Sequence, residues 1–299
     1  IQKMKIALFG GIHAGSSSPQ TEAQKATVYE ALWKRTSEVY MHDAFFKSLP
    51  IEIKNEIDVS RTVFTTVPLV DMALSVGGDG TFLRTASAVA DSNIPVLGIN
   101  TGRLGFLADI NINDLEETLN EICSENFQIE ERSLLGVDSS DGSIVYNRSH
   151  GVLNEIAILK QDTASMLSIN TFVNDDFLTT YQADGLIIAT PTGSTAYALS
   201  VGGPILMPES TSFVLAPIAP HNLTSRPLVI HDQSRIKLII ESRSSSFLVS
   251  MDGQSQVLGT HVEIEIFKAD YTLKVVKRTG HTFYETLRDK LMWGVDVRK

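Results

Sequence analysis

The chain has 299 residues, 43% of them hydrophobic, which is enough for one large or two ordinary domains with real cores. Its formal net charge of −10, with Lys and Arg scattered along the chain, argues against a nucleic-acid-binding surface. No apolar run approaches the ~20 residues of a spanning helix, the first residues read straight into a strand, and a lone Cys123 has no partner for an internal disulfide, so the expectation is a soluble, cytoplasmic protein without membrane or nucleic-acid partners.

Up to about residue 125 strand and helix patterns alternate. Residues 5–9 read as a buried strand, 21–49 as largely helical, 73–76 as a strand, 81–90 as a helix, 95–99 as a strand and 115–123 as a helix opened by Asn113-Asp114. Such alternation predicts a parallel sheet with helices on its faces. After Phe127 short β-rich runs follow at roughly ten-residue spacing: 134–137, 152–159, 167–173, 186–189, 213–215, 236–240, 247–250 and 262–266. Asp141-Gly142 and Asp252-Gly253 supply hairpin turn chemistry, and the texture is that of an all-β, sandwich-like layer. Residues 283–293 read as a final helix. The fold class expected is therefore an α/β domain with a parallel sheet, 1–128, followed by a β-rich domain, 129–275, and a C-terminal segment, 276–299.

Two segments carry the chemistry. Gly77-Gly78-Asp79-Gly80-Thr81 ends one strand and opens a helix, the place where an α/β protein holds a phosphate against backbone N–H groups. A carboxylate in such a loop makes sense if it meets a metal ion or a hydroxyl proton; otherwise Asp79 caps the helix. Arg84 lies one turn further on, within reach of a phosphate, or is a plain surface arginine. About a hundred residues later, Asp184-Gly185 precedes an apolar run and then Thr190-Pro191-Thr192-Gly193-Ser194-Thr195-Ala196-Tyr197, a polar loop whose hydroxyls and N–H groups suit phosphate or ribose and whose Tyr197 could stack on a ring. Asn154-Glu155 interrupts an apolar strand pattern, so at least one of the two should be buried or near a ligand. Gly10-Gly11 lacks the spacing of a dinucleotide fingerprint and reads as an ordinary turn. Ser194 is in no nucleophile elbow, and the histidines show no metal-ligand grouping, so no residue is assigned to a metal.

The order Gly-Gly-Asp-Gly-Thr, Asn154-Glu155, Asp184-Gly185 with Thr190–Tyr197, and Ala216-Pro217-Ile218-Ala219-Pro220-His221-Asn222 resembles the NAD kinase family over about residues 73–254. The resemblance implies an α/β domain followed by a β-rich one, with the chain end, 283–293, packed back on the first. It implies transfer of the ATP γ-phosphoryl group to the 2′-hydroxyl of the adenosine ribose of NAD, with Mg²⁺, in a homo-oligomer (dimer or tetramer), the donor staying open because some members use inorganic polyphosphate. Matched by motif, Asp79 would accept the hydroxyl proton or hold Mg²⁺, Gly80 would give backbone access and Arg84 would face phosphate. Asn154 and Glu155 would hold the adenosine ribose, Asp184 the other end of the dinucleotide, and Thr195, Ala196, Tyr197 and Ser200 would line the pocket. Ala219 and Gln254 match later cofactor contacts.

Many bacterial members of that family carry a basic residue two positions before the Asp-Gly, where this chain has Gln182; the preference between NAD and NADH is open on that account. The Gly-Gly-Asp-Gly loop is shared with lipid kinases, but the polar 190–197 loop and the acidic charge fit an apolar substrate poorly. A non-catalytic dinucleotide sensor would be expected to lack Asp79, which is present.

Overall fold

The computed structural model describes residues 4–11, 19–36, 38–102, 105–147, 151–162 and 166–293. It divides into two compact units. The first takes the chain up to Glu130 and again from Lys274 onward; the second is Glu131–Leu273.

The first unit begins with strand β1 (Ile6–Gly10), helix α1 (Pro19–Trp33), β2 (Val39–His42), the short helices α2 (Asp43–Lys47), α3 (Ile51–Lys54) and α4 (Val59–Thr62), and β3 (Val63–Phe64). There follow β4 (Met72–Gly77), α5 (Asp79–Val89), β5 (Val96–Asn100), β6 (Ile110–Asn111) and α6 (Leu115–Cys123). The strands pair in parallel in the order β3-β2-β1-β4-β5, with β6 also beside β5. β1 and β5 are buried at every residue, which is why they read as unbroken apolar runs rather than alternating ones. The core packs Leu8, Leu74, Val76, Leu97 and Ile99 against Val28 and Leu32 of α1 and Leu119 of α6.

The helix expected over 21–49 stops at Trp33. Val39-Tyr40-Met41-His42 alternates buried and half-buried positions and pairs with β1, so strand pairing overrides the helical pattern there.

The second unit contains β7 (Phe127–Ser139, entering from the first unit), β8 (Glu155–Lys160), β9 (Leu167–Val173), β10 (Asp176–Ala183), β11 (Gly185–Ala189), the helical turn α7 (Tyr197–Ser200) and β12 (Ser212–Ile218). It continues with β13 (Leu228–His231), β14 (Ile236–Glu241), β15 (Ser246–Met251), β16 (Gln254–Gly259) and β17 (Glu263–Arg278). One antiparallel set runs β10-β9-β14-β17; the other sheet runs β13-β12-β11-β8-β15-β16. Alternate residues of both, among them Ile156, Ile158, Leu186, Ile188, Phe213 and Ile240, close one apolar core, as in a sandwich. The opposite face of β11, Ile187 and Ala189, packs with Val214, Ala216 and Ala198, so β11 is buried on both sides.

Asp252-Gly253 forms the two-residue hairpin between β15 and β16, with Met251 opposite Gln254 and φ of +46° and +84° at the two turn residues. That is the turn geometry Asp-Gly favours. The last stretch of β17 returns to the first unit, where Val275 pairs with Val96. Helix α8 (Phe283–Leu291) follows there, opened by a capping box of Thr282 and Glu285.

Phe213 is fully buried in the sandwich core. Phe213→Ala should destabilise the second unit by about 3–5 kcal/mol, read as a lower urea midpoint with the denaturant slope unchanged.

Candidate active site

In the first unit the glycine-rich segment forms a sharp strand-to-helix turn. Asp79 is the first residue of α5 rather than a loop residue, and Gly78 before it is extended and makes no side-chain cap. The Asp79 carboxylate does not cap its own helix. It accepts three backbone N–H bonds from a turn 27 to 29 residues away: Phe106 to Oδ2 at 3.0 Å, and Leu107 and Ala108 to Oδ1 at 3.1 and 3.0 Å. A carboxylate offers about four acceptor positions, so among the described residues one lone pair of Oδ2 stays open.

An added Cβ at Gly78 would meet nothing within 4 Å, and at Gly80 only the Arg84 guanidinium at 4.0 Å. The protein's own packing therefore leaves space in front of both. Arg84 is exposed and donates to Thr81 Oγ1 at 3.2 Å. Thr81 and Arg84 also line a cavity of about 240 Å³ with Phe9, Gly10, Gly11 and His42; the residues that follow, 12–18, lie outside the described ones. On α8, burial lowers the pKa of Lys290, and the negative charge of Asp79 opposes that effect.

In the second unit a similar device organises Asn154-Glu155. Asp252, in the hairpin turn, accepts N–H bonds from Leu153 at 2.7 Å, Asn154 at 2.8 Å and Glu155 at 3.2 Å. Asn154 lies just before β8 and is buried; Glu155 begins the strand. Among the described residues Glu155 Oε2 is buried without a hydrogen-bond partner. Burial first, and the charge of Asp252 second, push the Glu155 carboxyl up to about 7, against the opposing backbone N–H of Tyr197. Burial likewise raises Asp252, opposed by its three amide donors.

The 190–197 segment is a 3-10 helix, Thr192–Thr195, running into α7. It is fastened to the Asn154 region: Thr190 N–H donates to Asn154 O at 2.9 Å and Thr190 Oγ1 to Leu153 O at 2.5 Å. A Cβ on Gly193 would come within 2.0 Å of Asn154 O, so only glycine permits this approach. The hydroxyls expected to donate to a ligand are otherwise employed. Ser194 donates to Pro191 O, Thr195 to Thr192 O and Ser200 to Tyr197 O; Ser194 is fully buried and already accepts from Leu206 N–H at 3.0 Å, so Thr195 and Ser200 are the ones left as acceptors. Tyr197 is exposed.

Asp184, between β10 and β11, is paired with Lys160 at 2.7 Å. Ala219 is exposed just past β12 and holds a left-handed φ of +43°. Gln254 is exposed at the start of β16, two residues beyond Asp252. Gln182 bonds Ser168 across the β10–β9 pair, Nε2 donating at 2.8 Å. Thus Asp79, Gly80 and Arg84 cluster in the first unit. Asn154, Glu155, Thr195, Ala196 and Tyr197 come together in the second, while Asp184, Ser200, Ala219 and Gln254 stand at the ends of its elements. The 106–108 amides, Lys160 and Lys290 carry no motif in the sequence, where Asp252 shows only as a turn residue. Its Asp-Gly pair was the one visible signal.

The glycine-rich strand-to-helix turn of the first unit, with its fixed carboxylate and open space before the backbone, is an arrangement suited to phosphoryl-group chemistry. Comparison with known proteins narrows the class. Residues 14–127 match the family model described as the ATP-NAD kinase N-terminal domain, and residues 153–278 the ATP-NAD kinase C-terminal domain. An NAD kinase of Bacteroides fragilis is 47% identical over 295 residues, spanning 99% of this chain and 100% of that protein. One from Porphyromonas gingivalis is 44% identical over 294 residues, spanning 98% and 99%. Among solved structures, an NAD kinase from Archaeoglobus fulgidus in complex with ATP is 27% identical with a TM-score of 0.71, covering 97% of this chain and 99% of that one. Yeast NADH kinase complexed with NADH shares the fold, with a TM-score of 0.82 at 24% identity over 99% of this chain and 89% of that one. The chain belongs to the NAD kinase family.

The raised Glu155 carboxyl has a consequence for stability. The folded state holds this proton more tightly than an unfolded chain, whose carboxyl titrates near 4.5. Its contribution is therefore complete below pH 4.5 and is lost as pH rises to about 7. Glu155→Gln should remove that slope, so the stability of wild type relative to the variant falls by roughly 3 kcal/mol across the window, measured by urea denaturation from pH 4.5 to 8.

Proposed function

We propose that this protein transfers the γ-phosphoryl group of ATP to the 2′-hydroxyl of the adenosine ribose of NAD, giving NADP, with Asp79 as general base. The observation that carries the reading is the Asp79 carboxylate itself, held by three amides at the N-terminus of α5 with one lone pair open. In the transfer, the ribose oxygen forms a bond to the γ-phosphorus, the bridging bond to the β-phosphate breaks, the hydroxyl proton passes to Asp79 and ADP leaves. A hydroxyl is too weak an acid to ionise first, so the base needs to be in hydrogen-bond reach as the new bond forms. The open space in front of Gly78 and Gly80 supports the close approach of phosphate to backbone. Arg84 faces phosphate as a guanidinium donor.

In the second unit Asn154 and Glu155 hold the adenosine ribose, and Asp184 accepts hydrogen bonds from the other end of the dinucleotide. Thr195, Ala196, Tyr197 and Ser200 line the NAD pocket, with Ala219 and Gln254 as further contacts. A Glu155 carboxyl that keeps its proton up to about pH 7 can donate a hydrogen bond as well as accept one.

Mg²⁺, when bound with the ATP phosphates, would neutralise charge on the transferring group. Among the described residues no group of three His, Cys, Asp or Glu could hold a metal. Asp79 is the one carboxylate of the glycine-rich turn and would be the side chain there able to meet such an ion. Homo-oligomeric assembly and a reducing, cytoplasmic setting belong to the same reading. The single cysteine agrees with the latter, and among the described residues no helix is long and apolar enough to cross a membrane.

Asp79→Asn should lower kcat by about 10²–10⁴-fold while NAD binding, followed by calorimetry, is kept. NADP is read with an NADP-specific dehydrogenase. Wild-type turnover in a folded Asp79→Asn variant would contradict the assignment of the base.

A further inference from the structure

The turn that supplies the three amides has a construction of its own. Asn100, the last residue of β5, is 3% exposed and spans the turn from inside. Its Nδ2 donates to Ala108 O at 3.2 Å and its Oδ1 accepts from Gly102 N–H at 2.7 Å. Gly105 N–H donates to the same Ala108 carbonyl at 3.0 Å. The turn is thereby closed, and its next three N–H groups converge on one carboxylate. Charge-assisted bonds of this kind are about twice as strong as neutral ones, and three together fix both the position and the rotation of the acid.

Gly105 sits where the acid would otherwise be obstructed. A Cβ added there would lie 1.8 Å from Asp79 Oδ1, 2.5 Å from Cγ and 2.9 Å from Oδ2. All three nearest atoms belong to the Asp79 side chain, none to backbone. A methyl group at 105 is therefore relieved most cheaply by turning the carboxylate away, and the fold can survive a substitution that misplaces the acid.

We infer that Asn100 and Gly105 are positioning residues for phosphoryl transfer: they shape the 105–108 turn so that its three amides aim the open lone pair of Asp79 at the acceptor hydroxyl. Neither touches substrate; both act through Asp79. The inference rests on the reading of Asp79 as base given above.

The test compares wild type, Gly105→Ala, Asn100→Ser and Asp79→Asn as full chains with NAD, ATP and Mg²⁺. Misplacing a catalytic group by about 1 Å costs on the order of 10²-fold, so Gly105→Ala should lose about that much kcat, and Asn100→Ser a smaller part of it. KM for NAD should stay within about threefold, because binding energy common to ground and transition states is untouched. A general structural defect would instead move KM and the melting temperature along with kcat. Should Gly105→Ala fail to fold, Asn100→Ser, which leaves the turn's backbone unobstructed, decides the matter. Wild-type kcat in the folded variants with an inactive Asp79→Asn overturns the positioning role alone. Wild-type kcat in Asp79→Asn overturns the base reading on which it depends.

Discussion

A carboxylate held by three consecutive backbone amides is the interaction on which each unit's functional region is built. Asp79 gathers the N–H groups of residues 106–108 in the first unit, and Asp252 gathers those of 153–155 in the second. Amides removed from water need partners, and an acid removed from water needs donors; each group meets the other's requirement. The two cases differ in what is held. In the first unit the amides hold the acid, which keeps one lone pair open. In the second the acid holds the amides, and through them fixes Asn154 and the raised carboxyl of Glu155.

Rigid support extends outward from both. Asn100 braces the first turn from the end of β5, while Thr190 and the close approach of Gly193 fasten the 3-10 segment to Asn154. The hydroxyls of Ser194, Thr195 and Ser200 donate to nearby carbonyls rather than to open space. The small-residue segment is thus shaped in advance, which suits a reaction whose demands are positioning and electrostatics more than bond-making by the protein.

Much of this was legible in the sequence, and the reasons are physical. The apolar runs of β1 and β5 follow directly from burial on two faces. Asp252-Gly253 gave its hairpin because few other pairs adopt positive φ at both turn positions. The motif residues were visible because glycines and polar residues stood where an apolar core was expected. Strand β2 was hidden inside a helical pattern, since the pairing that decides it lies with β1, some thirty residues earlier. The 106–108 amides were invisible for a different reason. They act through backbone N–H groups that every residue type carries, and only the three-dimensional path of the chain brings them to Asp79. Likewise nothing in the spacing links Lys160 to Asp184 or Lys290 to Asp79.

The most direct measurement is a crystal structure of the protein with NAD and a non-hydrolysable ATP analogue. The expected result places the 2′-hydroxyl of the adenosine ribose at about 2.6–3.2 Å from Asp79 Oδ2, with the three amide bonds to the carboxylate intact. A 2′-hydroxyl held by another side chain, with Asp79 still turned to its amides and out of reach, would contradict the account.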